Sequence, residues 1–173
     1  ESNDRSTFVG KLNTSIDEIK LSDYSTKADI NSNWRGYEGF MGVKQISKGN
    51  IFEIIFGQGF GTETPLGITM KLGEKEFSTI PKFHNGFITL ILKTGVLGLI
   101  IYIYFFVKLI YNNLKKTNVT SKEFILYRNL IVGISMTILV TTTVISGWLN
   151  QGTFTIFIFT LGYSTSRKKM IKT

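Results

Sequence analysis

Cysteine is absent from this 173-residue chain, histidine occurs once and proline twice. The missing thiols exclude disulfides, thiolate metal sites and cysteine nucleophiles, and they leave the cellular compartment open. With one imidazole in total, no protein-built zinc or iron centre is expected, so the metal assignment is none. Nor is any cofactor expected. No methionine stands before Glu1 and no hydrophobic signal region opens the chain. The expectation is therefore the end of a longer protein, with the N-terminal remainder of the same protein as its first partner.

Charge is also scarce, at 18% of residues, and its gaps are long. From Phe87 to Tyr111 only Lys93 and Lys108 are charged, and from Leu130 to Leu149 nothing is. At about 1.5 Å of helical rise per residue, each run can cross a hydrocarbon core of about 30 Å. The lipid bilayer is thus an expected partner. Residues 1–86 are polar by contrast, and most apolar residues crowd between Phe87 and Tyr163.

What charge there is sums to +8, yet its placement argues against nucleic acid. Lys115, Lys116 and Lys122 fall in the short connection after the first apolar run, flanked by Lys108 and Arg128. Arg167, Lys168, Lys169 and Lys172 close the chain, whereas Asn150-Gln151-Gly152 carries no charge. Short basic loops stay on the cytoplasmic side of a membrane. Three crossings satisfy that rule, over about 87–111, 124–147 and 149–166, with 167–173 as a basic cytoplasmic tail. Residues 1–86 then form an extracytoplasmic region of short helices. The third crossing is the weakest, because Thr153 to Ser164 covers only about 18 Å as a helix. The fold class expected is mainly α: a polytopic membrane protein fragment with two to three transmembrane helices.

Within the outer region, Ser15-Ile16-Asp17-Glu18 has capping-box spacing. Asn31-Ser32-Asn33 offers caps for a helix from Trp34 to about Ser47, with Trp34, Tyr37 and Met41 on one face. Gly49-Asn50 ends that helix, and Ile51–Phe56 follows as a compact apolar segment. Residues 62–81 read as polar and turn-like. Thr120-Ser121-Lys122-Glu123 is a second capping box, placed to start the second crossing.

Several residues carry candidate chemistry. His84, the one side chain that ordinarily titrates near neutral pH, stands with Asn85 at the mouth of the first apolar run. It reads either as an interfacial anchor or as a general base for a hydroxyl, with Asn85 orienting the ring or capping the helix. Arg35 is either a surface partner of Glu38 or a planar fork for a phosphate. Gly57-Gln58-Gly59-Phe60-Gly61 is neither a dinucleotide fingerprint nor a nucleotide-hydrolase loop, because spacing and flanks are wrong. It reads as a tight turn with close backbone approach, through Gly57, Gly59 and Gly61. Lys93, about two turns inside the first crossing, either serves function or snorkels outward along its stem. Glu53 reads as a solvent-facing carboxylate. Asn13-Thr14-Ser15 and Asn118-Val119-Thr120 match a glycosylation pattern as easily by chance.

Taken in order, these pieces resemble the C-terminal part of the O-antigen ligase and polymerase superfamily of bacterial inner-membrane proteins. The resemblance rests on Trp34-Arg35, Ile55-Phe56-Gly57-Gln58-Gly59-Phe60-Gly61, His84-Asn85-Gly86-Phe87-Ile88 and Gly95-Val96-Leu97-Gly98-Leu99. It covers residues 30–111, and the later crossings by hydropathy only. The resemblance implies a multi-pass glycosyltransferase with its site on the extracytoplasmic face of the bacterial inner (cytoplasmic) membrane. It implies transfer of a glycan from an undecaprenyl diphosphate-linked donor to a sugar or lipid acceptor hydroxyl, as in O-antigen, capsule or exopolysaccharide assembly and lipopolysaccharide biosynthesis. By position, His84 and Arg35 would be catalytic, Arg35 at the diphosphate, and Asn85, Gly57, Gly59 and Gly61 would bind substrate. Ile55-Phe56 departs from the family's usual small or proline residues. The alternative is a non-catalytic membrane component or transporter fragment in polysaccharide export.

Overall fold

The structure is a computed structural model that describes residues 24, 27–72, 74–115, 121–143 and 153–172. The Ser15–Glu18 box, both glycosylation patterns, Lys116 and the Asn150–Gly152 turn lie outside these residues.

Among the described residues, three helices precede a hairpin. They are α1 (Lys27–Ser32), α2 (Trp34–Lys48) and α3 (Ile51–Phe56). Asn31 and Ser32, expected as caps, instead end α1, and Asn33 is the N-cap of α2 without a side-chain bond. Gly49 closes α2 with an ordinary negative φ of −67°, so no left-handed glycine cap is used. Asn50 starts the next helix rather than ending the last one: its Oδ1 accepts from Glu53 N at 3.0 Å. The apolar segment is thus helix α3, and most of its large side chains are open, Ile51 62% and Phe52 71% exposed.

The stretch expected to be turn-like is an antiparallel hairpin of β1 (Thr64–Leu72) and β2 (Lys75–Ile80), interrupted by a register shift between Pro65 and Met70. A period of two is present in it. Thr64 and Leu66 are fully buried and Ile68 and Met70 half-buried, while Pro65, Gly67 and Thr69 face out. Pro65 and the positive-φ Gly67 (71°) mask that alternation with turn-type residues. The expected face of α2 packs here: Tyr37 is buried with Ile30, Leu66, Ile80, Phe83 and Leu92, and Trp34 and Met41 pack against them. The Tyr37 hydroxyl donates to the Leu66 carbonyl, and burial pushes this phenol above its ordinary pKa.

Three longer helices follow: α4 (Gly86–Leu114), α5 (Lys122–Thr142) and α6 (Thr153–Lys172). Among the described residues, α4 and α5 are long and apolar enough to cross a membrane, whereas α6 does not reach that apolarity. Ser121 is the N-cap of α5, with no side-chain cap bond, and Thr120 of the expected capping box lies outside the described residues. Residues 167–172, expected as a tail, continue α6 as its last turns. The core joins Leu90, Tyr102 and Phe106 of α4 to Ile131, Ile134 and Ile138 of α5 and Leu161 of α6. Lys168 donates to Asn113 Oδ1 and lies 5.4 Å from the centre of the Phe124 ring. The basic end of α6 therefore meets the end of α4 and the start of α5.

Asn85 caps α4, its Oδ1 accepting from Phe87 N at 3.0 Å and Ile88 N at 3.2 Å. Asn85→Ala is expected to cost about 1 kcal/mol of stability, seen as a lower thermal midpoint of the purified protein. An unchanged midpoint would remove this cap from the account.

Candidate functional site

A loop of four residues, Pro81 to His84, connects the hairpin to the cap of α4, and four contacts made by Phe83 and His84 hold it. The Phe83 ring is 1% exposed and seats against α2 at Gly42, where an added Cβ would stand 2.8 Å from it. Phe83 N donates to Thr89 Oγ1 at 3.1 Å, tying the loop to the first turns of α4. His84 N donates to Glu38 Oε2 at 3.2 Å, and the imidazole Nδ1 lies 2.6 Å from the same oxygen. Glu38 is 4% exposed, while the His84 side chain is 46% exposed.

This pairing has a chemical direction. A carboxylate only accepts, so Nδ1 supplies the proton of the 2.6 Å contact. In a neutral imidazole the basic lone pair then belongs to Nε2. The buried acid thus sets the tautomer and the ring's orientation, on a side chain that still reaches solvent. Asn85, one of two expected roles for which was to orient the ring, spends its side-chain oxygen on the helix cap instead.

Glu38 is the residue that sequence reasoning missed. Its spacing from Arg35 suggests a surface pair, but Glu38 is 4% exposed and its carboxylate meets His84. The signal was available, because Glu38 shares the packed stripe of α2 with Trp34, Tyr37 and Met41 at helical spacing. A carboxylate on such a stripe needs a partner, since an isolated buried charge is costly. Arg35 sits in the first turn of α2, part-buried and three residues before Glu38. His84 and Arg35 are therefore attached to neighbouring positions of one helix.

The glycine turn makes the close backbone approach expected of it, at Gly57, and what it approaches is α4. α4 is not continuous: Gly95 has φ 71° and ψ −176°, which breaks the helix inside the first apolar run. Gln58 N donates to the Leu92 carbonyl at 2.8 Å and Gly59 N to the Lys93 carbonyl at 3.1 Å. The turn thus fills the hydrogen bonds that the break opens. A Cβ on Gly57 would lie 2.4 Å from Lys93 backbone, and one on Gly95 would lie 2.1 Å from the Ile55 carbonyl. Gly57 is committed to packing on α4, Gly59 (φ 90°) to its own backbone angle, and Gly61 meets nothing within 4 Å.

Lys93 belongs to the same junction. It is 6% exposed and donates from Nζ to the carbonyls of Phe60 (3.1 Å) and Thr62. It does not snorkel to solvent but bonds the turn above it. Glu53 is half-buried rather than solvent-facing, with Asn50 Nδ2 3.0 Å from Oε1 and Gln58 Nε2 3.3 Å from Oε2.

Among the described residues no group of three or more His, Asp or Glu side chains could hold a metal ion. No protein-family model, curated protein or solved structure matches this chain.

Proposed function

We propose that the chain is part of a bacterial membrane glycosyltransferase of the O-antigen ligase and polymerase type. The reaction is glycan transfer from an undecaprenyl diphosphate-linked donor to a sugar or lipid hydroxyl at the extracytoplasmic face of the inner membrane. One observation carries this reading: a buried carboxylate, Glu38, holds a half-exposed imidazole, His84, at the N-terminal mouth of a helix able to cross a membrane.

The donor's diphosphate is already a good leaving group, so the protein must position, neutralise charge and assist deprotonation. His84 takes the proton of the acceptor hydroxyl at Nε2 as the oxygen attacks the anomeric carbon and the bond to the diphosphate breaks. Glu38 stabilises the imidazolium that results. Arg35 offers a planar fork to the departing diphosphate, for which a guanidinium is better shaped than an ammonium. The open apolar side chains of α3 and Phe60, 66% exposed, support a place for this junction at the bilayer surface. The basic end of the three-helix layer supports an orientation with that end in the cytoplasm.

A topology measurement tests the placement. A single thiol at exposed Ser78, in protein from which any other cysteine has been removed, should react with a membrane-impermeant maleimide in spheroplasts. A thiol at Lys115 should react only after permeabilisation. The reverse pattern would put His84 on the wrong side for a lipid-linked donor.

A further inference from the structure

A cavity lies along α2 from the histidine, and the proposed reaction does not use it. It has a volume of ≈ 370 Å³, within the range of small-molecule sites, and Met41, Lys44, Gln45, Lys48, Glu53 and Gln58 line it. Its floor is a chain of amides. Gln45 Nε2 donates to Gln58 Oε1 at 2.8 Å, and Gln58 Nε2 donates to Glu53 Oε2 at 3.3 Å. Glu53 is further held by Asn50, so its charge is already met by two amide donors. Gln45 Oε1 is buried and has no hydrogen-bond partner among the described residues, which is an uncompensated cost in a finished polar network. Lys44 and Lys48, four residues apart on one face of α2, stand exposed at the rim.

We infer that this cavity is a subsite for an acidic glycan, with sugar hydroxyls on the Gln45–Gln58 amides and a sugar carboxylate on Lys44 and Lys48. Side-chain amides and a fixed carboxylate are the groups that pair with vicinal hydroxyls, because they offer both donors and acceptors at short spacing. Two ammonium groups at the rim, against one carboxylate already engaged, favour a ligand that is itself anionic. Met41 supplies an apolar wall of the kind a sugar ring's carbon face can cover.

Position links this cavity to the reaction. Gln45 lies seven residues beyond Glu38, which is about two helical turns, about 10 Å along the axis and nearly the same face. The cavity and the histidine are thus held by one helix, α2. The inference rests on the glycosyltransferase reading for its meaning, and it names what that reading leaves open, the charge class of the sugar.

Binding without turnover tests it. The whole protein in lipid nanodiscs is titrated with tetragalacturonate and, separately, with uncharged maltotetraose. The expected result is binding of tetragalacturonate that weakens with added salt and exceeds maltotetraose binding. Lys44→Glu with Lys48→Glu should weaken it by about tenfold or more, and both sites are exposed, so folding is preserved. Gln45→Ala with Gln58→Ala should weaken both sugars. Equal binding of the two sugars, no binding at millimolar concentration, or affinity unmoved by the charge reversal would overturn the subsite. Since no transfer is measured, failure here leaves the histidine reading standing, and loss of that reading leaves this titration interpretable.

Discussion

Gly95→Ala is expected to unseat the glycine turn from α4 and to prevent the protein from accumulating. The backbone at Gly95, φ 71° and ψ −176°, lies in a region essentially reserved for glycine. Any Cβ there would also press on the Ile55 carbonyl from 2.1 Å and on Gly57 N from 2.6 Å. Backbone strain and overpacking together should cost about 3 kcal/mol or more. That is a large fraction of the few kcal/mol by which proteins are ordinarily stable. Gly133, where an added Cβ would meet nothing within 4 Å, is the comparison. Gly133→Ala should be neutral or slightly stabilising, because alanine favours an exposed helix interior. Steady-state protein level and protease resistance read both variants. Wild-type levels of the Gly95 variant would mean that the break in α4 is not a fixed feature of the fold.

That break was not legible in the sequence, although its residues were. Gly95 and Gly98 were visible inside an apolar run, and Gly57, Gly59 and Gly61 were visible upstream. Nothing in either segment says that one exists to satisfy the other. The partnership is tertiary: amides at Gln58 and Gly59 meet carbonyls of Leu92 and Lys93 more than thirty residues away. Lys93 shows the same difficulty. Periodicity places it inside a crossing, where snorkelling is the usual resolution, but its acceptors at Phe60 and Thr62 come from the other segment.

More local features were legible. The face of α2 formed by Trp34, Tyr37 and Met41 packs as its spacing implies, and the two long apolar runs are helices of spanning length. The hairpin was hidden for a local reason, since Pro65 and Gly67 interrupt a clear alternation. For the site, His84 drew attention by being the only histidine and by standing before an apolar run. Its partner Glu38 did not, because a nearby arginine offered an easier explanation for the charge. The bond to His84 follows from burial of Glu38, and burial of one carboxylate depends on what the loop at Phe83 and His84 does.

Glu38 should accordingly behave as a positioning residue and His84 as a catalytic one. Glu38→Gln keeps the size of the side chain but can present an amide donor to Nδ1, which favours the wrong tautomer. Transfer should fall by about tenfold to a hundredfold, in kcat rather than in KM, since in the proposed reaction Glu38 acts through His84 and not on the acceptor. A change confined to KM would make Glu38 part of a binding surface instead.

His84→Ala tests the central claim most directly, measured as glycan transfer in membranes that carry the whole protein. The substitution removes Nε2 and its proton-accepting lone pair, while the residue-84 amide can still bond Glu38, so the loop at Phe83 keeps its anchor. Loss of a positioned general base should lower transfer by about a hundredfold to ten-thousandfold at an unchanged protein level. Transfer that continues at the wild-type rate in correctly inserted protein would contradict the account and leave His84 as a helix-end residue held by a buried acid.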